Sequence, residues 1–215
     1  MKLSLHLGNK NYDADLNRPI DISIPLRNTQ GPKAFYAPDY KSFPVKADGF
    51  IGSTKAGGFV NFFNIHVNPH GNGTHTECVG HISKDAESIN DCLKQFHFSA
   101  ALISVTPEIM EDGDRVIMPS SLDDTETQLS MVDAVIIRTY PNDDAKITQD
   151  YSGSNPPYVH HKTMERLNQL GIRHFLIDLP SVDREEDDAK FKAHKTFWKY
   201  PEDTQRDKTI TEMVY

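Results

Sequence analysis

Three short apolar runs limit what this chain can fold into: Ser99-Ala-Ala-Leu-Ile-Ser-Val105, Met131-Val-Asp-Ala-Val-Ile-Ile-Arg138 and Ile172-Arg-His-Phe-Leu-Ile-Asp178. Each is bounded by turn residues, is rich in β-branched side chains and has the length of a strand, so each reads as a buried strand. Between the second and third, the stretch from Tyr158 to Leu170 places Met164, Leu167 and Leu170 on one helical face, and Gly171 stops it. Strand, helix and strand in that order point to an α/β domain built on a mixed β-sheet.

The remaining segments are read by the same periodicities. Leu3, Leu5 and Leu7 alternate with polar residues and open the chain as an edge or hairpin strand, with a turn at Gly8 and Asn9. Ile20, Ile22 and Ile24 alternate again up to Pro25. Residues 28 to 58 are punctuated by glycine and proline and carry Phe35, Tyr36, Tyr40, Phe43 and Phe50, so they form loops. Those rings either cap the core or wall the site against a flat aromatic substrate. Gly58 to Val67 reads as a strand, with His66 facing away from any site. Ile89, Cys92, Leu93 and Phe96 recur at helical spacing and predict a short helix over 86–96, while the acidic segment 107–128 reads mostly as loop.

Histidine density marks the place where chemistry is expected. His70-Gly-Asn-Gly-Thr-His75-Thr-Glu77-Cys-Val-Gly-His81 holds three of the ten histidines and one carboxylate within twelve residues. Neutral imidazole and carboxylate oxygen suit a divalent ion such as zinc or manganese. The small residues between them let a backbone wrap tightly. Cys78 lies inside this stretch, either as a small buried residue or as a soft ligand.

Gly73-Thr74-His75-Thr76-Glu77 followed by His81 resembles the signature of the metal-dependent cyclase-type hydrolases, which include bacterial kynurenine formamidase and isatin hydrolase. Here one extra residue separates His70 from His75, and Glu77 stands where the family usually has Asp. Asp21-Ile-Ser-Ile-Pro-Leu26 and Gly171-Ile-Arg173 through Ile177-Asp178 to Pro180-Ser-Val-Asp183 resemble two further family motifs. The resemblance implies one domain over 1–215, a mixed sheet flanked by helices in a swivelling β/β/α fold, with its C-terminal end open to truncation at Tyr215. It also implies a histidine and a glutamate after the last motif, for which His194 and Glu212 are the matches.

The metal ligands implied are therefore His70, His75, Glu77, His194 and Glu212, holding one or two ions of Zn2+ or Mn2+ per chain, with Glu77 or Glu212 as a bridge. The expected reaction is hydrolysis of a C–N bond in a small amide, aryl formamide or cyclic amide. The metal would generate the attacking hydroxide, and His81 would carry the proton. His81 as a further ligand, or as a residue that orients the others, stays open. So do three other readings: a non-catalytic metal-binding protein, a lactone or ester hydrolase, and a cysteine hydrolase using Cys78.

Composition excludes some partners. A net charge of −8, with the runs Asp123-Asp124 and Glu185-Glu-Asp-Asp188, opposes nucleic-acid binding, and the acidic runs themselves read as solvated loop. No run approaches transmembrane length, and no apolar N-terminal segment reads as a signal peptide, so a soluble cytoplasmic protein is expected. The partners expected are a small-molecule substrate and, from the resemblance, further copies of the chain as a dimer or tetramer.

Overall fold

The computed structural model describes residues 1–7, 10–28 and 30–215. β1 (Lys2–Leu7) and β2 (Lys10–Asp15) form an antiparallel hairpin, and the turn expected at Gly8 and Asn9 lies outside the described residues. Residues 20–24 are not the expected strand. They make one bridge, Ser23 to Val214, because the segment crosses the end of the chain: Tyr215 N–H donates to Ile22 O and Ile24 N–H to Thr74 Oγ1.

The loop-rich stretch that follows contains two short ribbons. β3 (Lys41–Pro44) pairs with the later β6 (Phe63–His66), and between them β4 (Lys46–Ala47) pairs with β5 (Phe50–Ile51). The strand expected over 58–67 is therefore confined to Phe63–His66, where His66 packs edge-on against Phe43. Phe43, Phe50, Phe62 and Phe63 are exposed, so they do not cap the core.

α1 (Pro69–Asn72) and β7 (His75–Glu77) carry the histidine stretch. The helix expected over 86–96 shrinks to the single turn α2 (Ile89–Cys92). Leu93 leaves it in extended conformation and Phe96 is 72% exposed, so the helical spacing has no apolar surface to bury. Then come β8 (Ala100–Val105), β9 (Glu108–Ile109), β10 (Arg115–Ile117), α3 (Glu126–Leu129), β11 (Ala134–Thr139), β12 (Tyr158–Val159), α4 (His161–Gln169), β13 (His174–Ile177), α5 (Lys192–Trp198) and β14 (Thr209–Glu212). The segment 107–128 is more structured than its acidity suggests: β9 and β10 join β12 in a small sheet, and Ile117 and Leu122 are fully buried.

The main sheet has the order β7-β14-β13-β11-β8, with four parallel strands and β7 antiparallel at one edge. Period-two alternation sorts its side chains. Ala101, Ile103, Val135, Ile137, Phe175, Ile177 and Ile210 face inward and are buried against Met164 and Leu167 of α4 and Phe197 and Trp198 of α5. The opposite face is only partly covered: Ala134, His174 and Thr209 at its start are buried, but β8 is an edge strand with Leu102 56% exposed, and Ile136 and Leu176 beside it are partly buried. Among the described residues no helix is long and apolar enough to cross a membrane.

Candidate metal centre

The end of the sheet formed by β7 and β14 gathers the ionisable residues. Alternation along β7 turns His75 and Glu77 to the same inward face, and antiparallel pairing sets Glu212 directly opposite His75. α1 supplies His70. Asn68 caps that turn by accepting from Gly71 N–H, Pro69 occupies its first position, and Asn72 reaches back to accept from Asn68 N–H. Gly71 must lack a side chain, since a Cβ there would lie 2.4 Å from that of Ala37. His81 ends a turn anchored by the fully buried Val79, and His194 comes from α5.

These side chains converge on two carboxylates. Glu77 Oε1 lies 3.0 Å from His194 Nε2, and Glu77 Oε2 lies 3.2 Å from His70 Nδ1 and 3.4 Å from His81 Nδ1. Glu212 Oε2 lies 3.4 Å from His75 Nε2, and Glu212 Oε1 lies 3.8 Å from His194 Nε2 while accepting from Val182 N–H. Glu77, Glu212 and His194 are each at most 5% exposed. All six residues singled out in the sequence therefore meet in one cluster. His194 is buried rather than solvated among lysines, and Glu212 points inward.

Several of these close approaches are not hydrogen bonds. His70 Nδ1, His75 Nε2 and Glu77 Oε2 are three of the six buried side-chain polar atoms left without a hydrogen-bond partner among the described residues. His75 Nδ1 donates to Gly73 O at 3.0 Å, which turns the lone pair of its Nε2 into the cluster. Atoms that point past one another toward a shared point have the arrangement of metal ligands. They fall into two groups, His70-Glu77-His81 and His75-Glu77-Glu212, each with ligand atoms within 4.8 Å of one another, and Glu77 belongs to both. The donor set of imidazole and carboxylate fits a divalent ion.

Charges here are strongly coupled. Burial opposes the charged form of Glu77, but His194 and His70 outweigh it and hold the carboxyl well below the usual carboxylate range. Burial and the nearby Glu77 charge push Glu212 upward. Burial also works against a charged His194, yet the Asp183 and Glu77 carboxylates prevail and raise it to about 10. His81 lies 28% exposed, and burial lowers it to about 4.

Asp183 is a functional residue that the sequence showed only as part of a motif. Its Oδ2 accepts from His194 Nδ1 at 2.6 Å, and its carboxylate also takes the N–H groups of Ala193 and His194. The next residue, Arg184, is clamped by Asp114 through Nε at 2.9 Å and a terminal nitrogen at 3.1 Å. Asp114 also accepts from Asn155 and Tyr158, so it anchors the loop after β13.

A cavity of about 550 Å³ opens onto the cluster through His70, His81, His194 and Glu212, with Phe35 and Phe191 on its walls. Phe35, 43% exposed, is the aromatic of the long loop that takes the wall role. Phe35, Asp188, Ala189 and Phe191 line this cavity with φ between 49° and 56°, a strained region for residues with a side chain. A wider groove of about 640 Å³ between α4 and α5 contains none of the clustered ligands. Cys78 is buried and donates to Glu87 O, which leaves it no approach to the cavity as a nucleophile.

Comparison with known proteins gives this architecture its family. The model of the family described as "Putative cyclase" matches residues 20–184. The chain belongs to the Cyclase family. No curated protein matches it. Among solved structures, the cyclase-family chain resembles a protein described as a predicted metal-dependent hydrolase from Bacillus stearothermophilus, at 17% identity and a TM-score of 0.59, with 91% of this chain and 81% of that one covered. It also resembles an isatin hydrolase bound to the product analogue thioisatinate, at 11% identity and a TM-score of 0.58, covering 91% and 78%. A third likeness is isatin hydrolase A from Labrenzia aggregata, at 14% identity and a TM-score of 0.51, covering 100% and 79%. At these identities the likeness is one of fold: a mixed sheet flanked by helices.

Proposed function

We propose that this cyclase-family chain is a metal-dependent hydrolase of a small amide, aryl formamide or cyclic amide, working with one or two ions of zinc or manganese. The observation that carries the reading is the sharing of Glu77 by two groups of candidate ligand atoms, three of which are buried without a hydrogen-bond partner. His70, His75, Glu77, His194 and Glu212 are the residues proposed to hold the metal, with Glu77 between the two groups. A divalent ion there supplies Lewis acidity and lowers the pKa of a bound water from about 15.7 towards roughly 7.

The chain's own residues supply the rest. Asp183 fixes the His194 ring so that Nε2 faces the cluster. Phe35 and Phe191 form apolar walls for an aryl or heterocyclic group. His81, partly open to the cavity and neutral near pH 7, is placed to take a proton from the attacking water and pass it to the leaving nitrogen. The isatin hydrolase likeness favours a cyclic amide within this substrate class. A second reading of His81 is favoured by its distance to Glu77, which makes it a third ligand beside His70.

We also propose that the protein works as a homo-oligomer, since parallel sheets are normally covered on both faces and this one is fully covered on one only.

The test is metal content of chelator-stripped and reconstituted protein, with turnover of aryl formamides, cyclic amides and lactones measured in parallel. Stoichiometric metal with restored C–N cleavage supports the proposal. Metal without cleavage of any C–N substrate overturns the reaction, and failure to take up metal overturns the site. His81→Ala separates its two roles: normal metal content with turnover reduced about a hundredfold or more supports proton transfer, and loss of an ion makes it a ligand.

A further inference from the structure

The run Glu185-Glu-Asp-Asp188, which reads as solvated loop in the sequence, forms part of the wall of the 550 Å³ cavity. Little of its charge is neutralised by neighbouring cations. Glu185 accepts from Gly153 N–H at 2.7 Å and Asn155 N–H at 3.2 Å, and Asp187 accepts from Phe191 N–H at 2.6 Å. Backbone amides fix those carboxylates in place without neutralising them. Glu186 is exposed and its carboxylate has no partner among the described residues. Asp188 alone is paired with a cation, Lys190 at 2.8 Å.

The cations on the cavity wall are engaged elsewhere: His194 is held between Asp183 and Glu77. Arg184 is turned into a two-point ion pair with Asp114. Asp183 is engaged by His194. Among the described residues Glu185, Glu186 and Asp187 therefore make no salt bridge beside the apolar rings of Phe35 and Phe191, Lys190 reaching Asp187 only at longer range from its pair with Asp188. Independently of them, the cavity opens onto the candidate metal cluster through His70, His81, His194 and Glu212, so this space is the approach to the cluster and not an incidental surface dent.

We propose that the cavity selects substrates carrying an ammonium or other organic cation away from the scissile bond, and disfavours substrates carrying a carboxylate or sulfonate there. Like charges are repelled and opposite charges concentrated in a cleft with low-dielectric walls, and aromatic faces add attraction for an alkylammonium group. The inference deepens the hydrolase reading and rests on it for the identity of the cavity as a substrate site.

The experiment uses metal-reconstituted protein with three formanilides that bear a trimethylammonium, no charge or a sulfonate at the para position. Calorimetric binding of benzyltrimethylammonium and of benzenesulfonate runs beside it. Expected is a kcat/KM at least roughly tenfold higher for the cationic than for the anionic formanilide at low salt, shrinking severalfold at 0.5 M salt. The same order is expected in binding. Glu186→Lys, a charge reversal at an exposed side chain of the cavity wall, should flatten the preference by lowering kcat/KM for the cationic formanilide and raising it for the anionic one. Equal or reversed affinity for the two charged ligands overturns the inference. If no formanilide turns over, the hydrolase substrate is wrong, and the calorimetric preference still decides the charge selectivity by itself.

Discussion

Asp183 Oδ2 lies 2.6 Å from His194 Nδ1, and both side chains are buried, so the orientation of the ring that α5 brings to the cluster is set by a loop that follows β13. A carboxylate behind a ligating histidine fixes its tautomer and strengthens its donor nitrogen.

Asp183→Asn keeps one of the two oxygens, Oδ1 that accepts from Ala193 N–H or Oδ2 that accepts from His194, and removes the charge behind His194. Metal affinity, read by chelator competition, should fall about 10- to 100-fold while the melting temperature changes little. Unchanged affinity would reduce Asp183 to a cap on the first turn of α5.

Glu77 belongs to both ligand groups and Glu212 to one, so their amides should behave differently. Glu77→Gln is expected to abolish stoichiometric metal binding altogether. Glu212→Gln, which leaves an oxygen for Val182 N–H, should retain the group made by His70, Glu77 and His81. Elemental analysis after dialysis checks this: equal losses in the two variants would mean a single ion rather than a shared carboxylate between two.

Much of this site was legible in the sequence because strand alternation converts spacing into direction. His75 and Glu77 are two apart and must share a face of β7, and the family motifs located His194 and Glu212. Other features depended on contacts that no local pattern carries. The spacing of Ile89, Cys92, Leu93 and Phe96 promised a helix, but propensity over one turn cannot sustain one without an apolar surface beneath it. The alternation of Ile20, Ile22 and Ile24 promised a strand, yet the segment's partners are Thr74 and the chain's end, each more than 45 residues away. The acidic run at 185–188 looked like any solvated loop until the Gly153, Asn155 and Phe191 amides placed it on the cavity wall.

The partly open sheet face predicts association. Leu102 is 56% exposed on edge strand β8, with Ile136 and Leu176 next to it on the same face. Leu102→Glu should lower the sedimentation mass of the assembly toward that of one 24.3 kDa chain, with little loss of monomer stability because more than half of the side chain is exposed. A wild-type protein that sediments as one chain at micromolar concentration would refute the oligomer.

His174 predicts how stability responds to acid. The ring is 3% exposed on the face of the sheet opposite Phe175 and Ile210, with Nδ1 at 2.8 Å from Thr209 Oγ1, Phe98 stacked on it and Nε2 without a hydrogen-bond partner among the described residues. Burial, aided by the charge of Arg173, lowers its pKa to about 4, against about 6.5 in the unfolded chain. Between those values the unfolded state binds the proton and the native state does not, so stability rises with pH across that window. Acidification from 6.5 to 4 should therefore cost on the order of 1–3 kcal/mol from this residue, the lower end applying where water at the sheet's end screens the ring. Urea titrations of wild type and His174→Asn at pH 7 and pH 4.5 isolate it. The variant should show a smaller loss between the two pH values, and an identical loss in both proteins would show that His174 is protonated in the native state.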